Sequence, residues 1–521
     1  MQKLNSLTHL REEQKNALML WLILTLAIAI RIYKLGDADL WYDEVYAYFM
    51  TTLTYGDITR KIFGEQFYLY NILLKFWVFC FGMSEFSLRF LSMLFGVVSV
   101  PIMYKIGKLL FNTKVGLIGS FLLSISPIHV WYSQEARGYS LSIFITLLII
   151  YFFIRVLKES KVYLWIGLIL SSLISIYINY FCFYAIILTS IALFLRRYKY
   201  IFKLGLVYIL IIISGFLLLA PSLIRYISKL SSSFWVSKPN LGAIGITLDN
   251  FNIGYNATPG VYFITSVVFF LLFILGVFFW WQDRKKVLAF LLFCIFSPII
   301  FTFLISQLIP IYLDRNLILY SPFYYIIIAA GIEKIRLKSL QIIVYVIILS
   351  SVVLCLRNYF TYNMPAFRYH SIGVYVKKPV EPAVDYIGKR FIEGDAIGYS
   401  GPVGSTISYY IQKKISKNID IFSFVILNKI GPYWKNFKGK YLRGYTQNRC
   451  VPIFLDNERS SERFKNKKFK RLWLISMTWS RGNNLGFHEA AIREWIQRDY
   501  LVLDRKEFDG IFIDLYGRKI D

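Results

Sequence analysis

A bilayer span needs about 20 consecutive, mostly apolar residues in a helix, and this 521-residue chain repeats that pattern along most of its length. Runs of about that length lie near 17–32, 86–110, 115–133, 139–157, 162–178, 180–195, 202–221, 261–281, 287–309, 316–332 and 340–357, about eleven in all. Lipid supplies no partners for backbone N–H and C=O groups, so such runs can only be helices. The expected class is therefore an α-helical integral membrane protein. A hydrophobic content of 57% against 17% charged residues excludes an ordinary soluble domain.

The formal net charge of +28 would point to nucleic acid in a soluble protein. Here much of the excess sits in short clusters between apolar runs, where Lys and Arg set topology and meet anionic lipid. No nucleic-acid motif accompanies it, so no nucleic-acid partner is expected. The clusters are Lys105/Lys108/Lys114, Arg155/Lys158/Lys161, Arg196/Arg197/Lys199/Lys203, Arg284/Lys285/Lys286 and Lys334/Arg336/Lys338. If all are cytoplasmic, an even number of spans separates each from the next. Phe67–Met83 is then a juxtamembrane or re-entrant helix, since counting it as a span would move every later cluster outside. The first run, lacking a small-residue cleavage site, reads as a retained signal anchor with a cytoplasmic N-terminus.

This topology brings together, on the outer side, residues 34–85, the turn Ile128–Tyr139, the loop Ser222–Gly260, the link Ile311–Asn316 and everything after about Asn358. Three constellations in those segments can carry chemistry. Leu40-Trp41-Tyr42-Asp43-Glu44-Val45-Tyr46-Ala47-Tyr48 places two carboxylates among aromatics at the bilayer edge, where charge is costly. Asp43 can cap a helix from about Glu44 to Leu53; the alternatives are an interfacial cap and a general base. Trp131-Tyr132-Ser133-Gln134-Glu135-Ala136-Arg137-Gly138-Tyr139-Ser140 holds an Arg that needs a partner, either Glu135 or a phosphate, unless it snorkels to headgroups. Asp314-Arg315-Asn316 lies between two spans, and Arg315 has the planar fork suited to phosphate or to simple interfacial anchoring.

Together these stretches resemble the polytopic glycosyltransferases of the GT-C fold, in particular the relatives of protein O-mannosyltransferases and of the lipid A aminoarabinose transferase. Trp41-Tyr42-Asp43-Glu44 resembles the Asp-Glu motif of their first outer loop. Tyr132–Tyr139 resembles a second-loop signature, and Arg315 with Pro322 an Arg-Tyr…Pro motif of a late span, although Asn316 stands where Tyr is usual. Phe234-Trp235 is a fainter echo. The resemblance covers residues 1–360 and implies a polyprenyl-phosphate sugar donor, an inverting transfer to a hydroxyl on a lipid, glycan or protein acceptor, and a site facing the outside of the plasma (inner) membrane. In that scheme Asp43 is the base, and Glu44 positions Asp43 or the acceptor. Arg137 and Arg315, with Glu135 and Tyr139, hold the donor phosphate. Some members use a divalent cation; with no Asp-x-Asp at the expected places, metal independence is expected and a divalent cation is the alternative. His9, His129, His370 and His488 are too scattered for a metal site.

Residues 361–521 read as a separate outer α/β domain, entered through Pro365, Pro379 and Pro382. Strands are expected at Ala396–Tyr399, Leu472–Ser476, Tyr500–Leu503 and Ile511–Leu515, and helices near Pro382–Phe391 and Glu489–Arg498. Gly401 and Gly404 lack a following Lys at Walker spacing and read as a strand-to-helix turn. Cys450 stands alone in this part, which excludes an internal disulfide. Two other functions fit the composition: a transporter or flippase of lipid-linked sugars, for which no internal repeat is visible, and a structural membrane subunit.

Overall fold

The computed structural model describes residues 2–62, 66–159, 161–182, 238–363, 379–400, 404–415, 421–425, 450–454, 469–477 and 487–519, with single positions between these stretches. Of these, residues within 1–35, 53–226 and 236–365 form one compact unit, and those within 36–52 and 366–521 form a second. The expected spans 180–195 and 202–221, and Phe234-Trp235, lie largely or wholly outside the described residues.

The first unit is helical. Among the described residues its helices are, in chain order, α1 (Gln2–Ile32), then, after α2 (Tyr42–Thr52) of the second unit, α3 (Tyr55–Ile62), α4 (Tyr68–Phe81), α5 (Glu85–Leu110), α6 (Thr113–Ile125), α7 (Pro127–Ser133), α8 (Tyr139–Glu159), α9 (Val162–Ile176), α10 (Gly242–Ile253), α11 (Pro259–Ser306), α12 (Asp314–Leu317), α13 (Ser321–Lys334) and α14 (Lys338–Phe360). Among the described residues six helical stretches are long and apolar enough to cross a membrane, seven if the bent pair α6 and α7 counts as one. The protein is thus a multi-span membrane protein. α11 covers two of the expected spans, and its helical backbone breaks at Arg284, inside the basic cluster that separates them. α4, at 14 residues, is about 21 Å long and falls short of the roughly 30 Å hydrocarbon core.

Local chemistry explains the helix boundaries. Ser84 accepts from Ser87 N at 3.1 Å and opens α5, and Asn112 accepts from Val115 N at 3.0 Å and opens α6. Pro127 has no N–H and cannot continue the ladder of α6, so the chain bends by 59° there and starts α7 with Pro in its first turn. The centre of the unit is the stretch Asp314–Lys334, 94% buried over its most apolar window, whereas α1 is 11% buried and turns Trp21, Leu22 and Met19 outward, as a lipid-facing helix does. Close approach of α11 to α13 depends on two glycines. A Cβ on Gly276 would lie 2.2 Å from Ile327 O, and one on Gly331 would lie 2.0 Å from Leu272 O, the small-residue packing that replaces hydrophobic drive inside lipid.

The second unit carries a six-stranded sheet of order β3-β2-β1-β4-β6-β5, built from β1 (Ala396–Ser400), β2 (Ile421–Val425), β3 (Cys450–Phe454), β4 (Arg471–Met477), β5 (Tyr500–Phe508) and β6 (Ile511–Arg518). β3, β2, β1 and β4 are parallel, and β6 pairs antiparallel with both β4 and β5. Among the described residues its helices, besides α2, are α15 (Val380–Gly388), α16 (Gly404–Lys414) and α17 (Phe487–Gln497). The four expected strands and two expected helices are present, the strand-to-helix turn expected at Gly401 and Gly404 leads into α16, and β2 and β3 are additions. Asp509-Gly510, both at positive φ, forms the two-residue turn between β5 and β6. Ala396, Leu472, Leu474, Ile492, Ile496 and Tyr516 form one core between sheet and α17. On β4, Arg471 and Trp473 both donate to Asp395, at 2.7–2.9 Å, which fixes the start of β1. Pro379 and Pro382 lie at the N-cap and in the first turn of α15 and start that helix instead of extending a linker.

Candidate functional site

The second-loop signature folds as α7, a short buried turn and the start of α8, and most of its residues build support. Arg31, fully buried at the end of α1, donates from Nη1 to Ser124 O at 2.7 Å, from Nη2 to Leu123 O at 3.2 Å and from Nε to Ser133 Oγ at 3.2 Å. Leu123 O is the acceptor that Pro127 leaves without its helical donor, so one guanidinium repairs the break between α6 and α7. Gln134 Nε2 donates to Arg31 O and Tyr33 O, at 2.8 and 2.7 Å, and closes the last turn of α1. Ser140 Oγ donates to Tyr132 O at 2.9 Å and ties α8 back to α7.

On that scaffold Glu135 is buried and accepts from Trp131 Nε1 at 2.7 Å. Arg137 is half-buried, its guanidinium 4.9 Å from the centroid of Phe67. Phe67 also meets Tyr139 edge-on at 4.8 Å, and Tyr139 meets Tyr132 at 4.6 Å. Phe67 was not singled out by its sequence. It is a non-glycine residue at φ 67°, fully buried, held there by Phe67 N donating to Ile178 O at 2.7 Å and by Asn71 capping its carbonyl. Strain of this kind, of order 1–3 kcal/mol, concentrates where geometry matters for function.

The other segments meet the same cluster. Tyr132 and Tyr255 share a hydrogen bond of 2.8 Å between hydroxyls, and Trp131 packs edge-on against Tyr255 at 5.3 Å and against Tyr359 at 5.0 Å. Asn250 Nδ2 donates to Asp314 Oδ2 at 2.6 Å, and Gln66 Nε2 donates to Asn316 Oδ1 and Asn179 Oδ1, each at 3.2 Å. Glu135, Tyr139, Asp314 and Arg315 all act electrostatically on Tyr132. Burial, reinforced by Asp314 and Tyr132, holds the Tyr255 phenol well above its ordinary range, so it stays a protonated donor. The structure therefore joins Glu135, Arg137, Tyr139 and Arg315 in one cluster, drawn from segments near residues 66, 131–139, 250–255, 314–316 and 359. It sets two guanidinium groups and the neutral hydroxyls of Tyr132 and Tyr255 beside the buried carboxylates of Glu135 and Asp314; guanidinium and hydroxyl donors can hold an anion through charge-assisted hydrogen bonds, while the carboxylates can orient those donors.

Asp43 and Glu44 belong to the second unit. α2 starts at Tyr42, so Asp43 lies in its first turn and not at its cap. The capping role falls to Glu44, whose Oε2 accepts from Trp41 N at 3.3 Å, the reach-back of a capping box. Glu44 is fully buried and paired with Lys377 at 3.5 Å, whereas Asp43 is half-buried. Against the reading that no Asp-x-Asp stands in this outer segment, Asp37-Ala38-Asp39 lies two residues ahead of the helix, although its carboxylates are engaged elsewhere or exposed: Asp39 accepts from Glu381 N at 2.7 Å, and Asp37 is exposed. Among the described residues no group of three or more His, Cys, Asp or Glu is arranged to hold a metal ion.

A helical membrane unit with this loop cluster, followed by a small α/β domain, is a GT-C fold. Residues 68–224 match the family model described as dolichyl-phosphate-mannose-protein mannosyltransferase. The chain is similar to ArnT from Cupriavidus metallidurans in the apo state, with a TM-score of 0.59 at 11% identity over 95% of this chain and 97% of that one. It is also similar to ArnT bound to undecaprenyl phosphate, with a TM-score of 0.50 at 11% identity over 95% and 97% of the two chains. A weaker likeness, TM-score 0.49 at 10% identity over 89% of this chain and 70% of the other, is to the oligosaccharyltransferase AglB from Archaeoglobus fulgidus. No curated protein matches by sequence.

Proposed function

We propose that the protein transfers a sugar from a polyprenyl-phosphate donor to a hydroxyl acceptor. The observation that carries this reading is the cluster of Arg137, Glu135, Tyr139 and Arg315 around the buried Tyr132–Tyr255 pair. The fold supports it, since the similar ArnT structure holds undecaprenyl phosphate.

Asp43 takes the proton of the acceptor hydroxyl as that oxygen attacks the anomeric carbon from the face opposite the phosphate. The bond from that carbon to the phosphate oxygen breaks with inversion, and Arg137 and Arg315 meet the charge left on the departing lipid phosphate. Glu135 and Tyr139 orient that pair. Two guanidinium groups supply the charge that a divalent cation would otherwise bring, so transfer should persist in excess chelator; loss with chelator and recovery with added Mg²⁺ or Mn²⁺ would contradict this. The acidic motif and the loop cluster face the outside of the plasma membrane in this reading, with the N-terminus cytoplasmic.

Titration of undecaprenyl phosphate into the full-length protein tests the phosphate site. A hydrogen bond to a charged group contributes about 1.5–3 kcal/mol, so Arg137→Met and Arg315→Met should each weaken binding by about 10- to 100-fold. Unchanged affinity in both variants would overturn the assignment.

A further inference from the structure

Helix α2, which carries Asp43, is only 11 residues long and too short to hold its shape alone in water. Yet Glu44, Val45, Ala47, Phe49 and Met50 are all buried. Among the described residues, four contacts that fix it come from the C-terminal part of the chain. Leu40 N donates to Tyr410 Oη at 2.9 Å, and Tyr48 meets Tyr409 edge-on at 4.7 Å, both tyrosines lying on α16. Asp39 caps the first turn of α15 through Glu381 N at 2.7 Å. Lys377 Nζ lies 3.5 Å from Glu44 Oε2, with the Glu44 side chain fully buried and that of Lys377 7% exposed.

We propose that the C-terminal domain is a positioning device for the proposed base, with Lys377 as its principal residue: by holding Glu44, it sets the rotation of α2 and so the direction of Asp43. Glu44 is buried, so removing the Lys377 cation takes away the opposite charge beside a desolvated carboxylate and loosens its hold on that site. A looser Glu44 lets the helix turn. Asp43 is the adjacent residue on that helix, and a displacement of about 1 Å at a reacting group costs on the order of 100-fold in rate. Tyr410 adds a second, neutral fastening just ahead of the helix. The inference rests on the transfer reading for its catalytic consequence, while the anchoring itself does not.

The test uses the full-length protein with Lys377→Met, Lys377→Arg and Tyr410→Phe, reading both amide hydrogen exchange over residues 43–52 and transfer kinetics. Lys377→Met should speed exchange there about tenfold or more and lower kcat about 10- to 100-fold with the donor KM within about twofold of the parent. Lys377→Arg, which keeps the charge, should return both toward the parent. Tyr410→Phe retains the ring and should speed exchange by a few-fold. Parental exchange over 43–52 in Lys377→Met overturns the proposal, and so does faster exchange with unchanged kcat. If the parent protein transfers no sugar, the transfer reading fails alone, because the exchange result still decides whether the domain holds α2.

Discussion

Gly138→Ala probes how the loop cluster is assembled. A Cβ at position 138 would lie 2.4 Å from Phe67 Cδ1, 3.0 Å from Cγ and 3.1 Å from Cε1. Carbon atoms in contact sit about 3.5–4.0 Å apart, so the ring must retreat by roughly 1 Å. It has little room to do so: Phe67 is fully buried, its backbone is pinned by Ile178 O and Asn71, and its ring contacts both Arg137 and Tyr139. Overpacking of this kind costs about 1–3 kcal/mol, and loss of the contact between Arg137 and the ring adds about 0.5–2 kcal/mol in a partly desolvated setting. We expect a total of about 2–4 kcal/mol, read as a clear fall in thermal midpoint in detergent and about tenfold weaker binding of undecaprenyl phosphate. In a Phe67→Ala background the obstructing atoms are gone, and Gly138→Ala should cost less than about 0.5 kcal/mol. An equal cost in both backgrounds, or none in the parent, would refute the assembly described.

Two further outcomes follow. Arg31→Met removes the donors to Leu123 O, Ser124 O and Ser133 Oγ, and each buried acceptor left bare costs about 1–3 kcal/mol; size-exclusion and thermal-unfolding profiles should show severe loss of folded protein, with Arg31→Lys recovering only part because a single ammonium cannot span the same fork. For the proposed orientation, an impermeant thiol reagent should label Cys450 in right-side-out vesicles in a Cys80→Ser background, and protection lifted only by permeabilisation would invert the topology.

Much of the membrane unit is legible from hydropathy, because burial in lipid writes itself into unbroken apolar runs. The break at Arg284 is visible for the same reason: three consecutive basic residues, Arg284 to Lys286, cannot sit in mid-bilayer. Arg31 is the opposite case. Nothing in its place at the end of a span marks it, and only the bend created by Pro127 shows why a buried guanidinium is needed there. The loop cluster is partly legible: its Arg and Glu stand out, but Tyr132 and Tyr255 are 123 residues apart and no periodicity announces their hydrogen bond. Phe67 gave no signal, since its positive φ comes from contacts with the chain near Ile178. At the acidic motif the helix was anticipated and its cap was not: Trp41 precedes the helix in place of the usual Ser, Thr, Asp or Asn, and Glu44 closes the turn from three residues on. Asp509-Gly510, by contrast, is a hairpin signal that the strand pattern could have used.

Asp43→Asn separates a catalytic base at position 43 from a structural carboxylate. The full-length protein, reconstituted with a radiolabelled polyprenyl-phosphate sugar and candidate hydroxyl acceptors, should transfer label. Asp43→Asn should lower that rate by about 100-fold or more while leaving donor binding intact, because an amide cannot accept the proton. Transfer at the parental rate by the Asn variant would rule out Asp43 as the base.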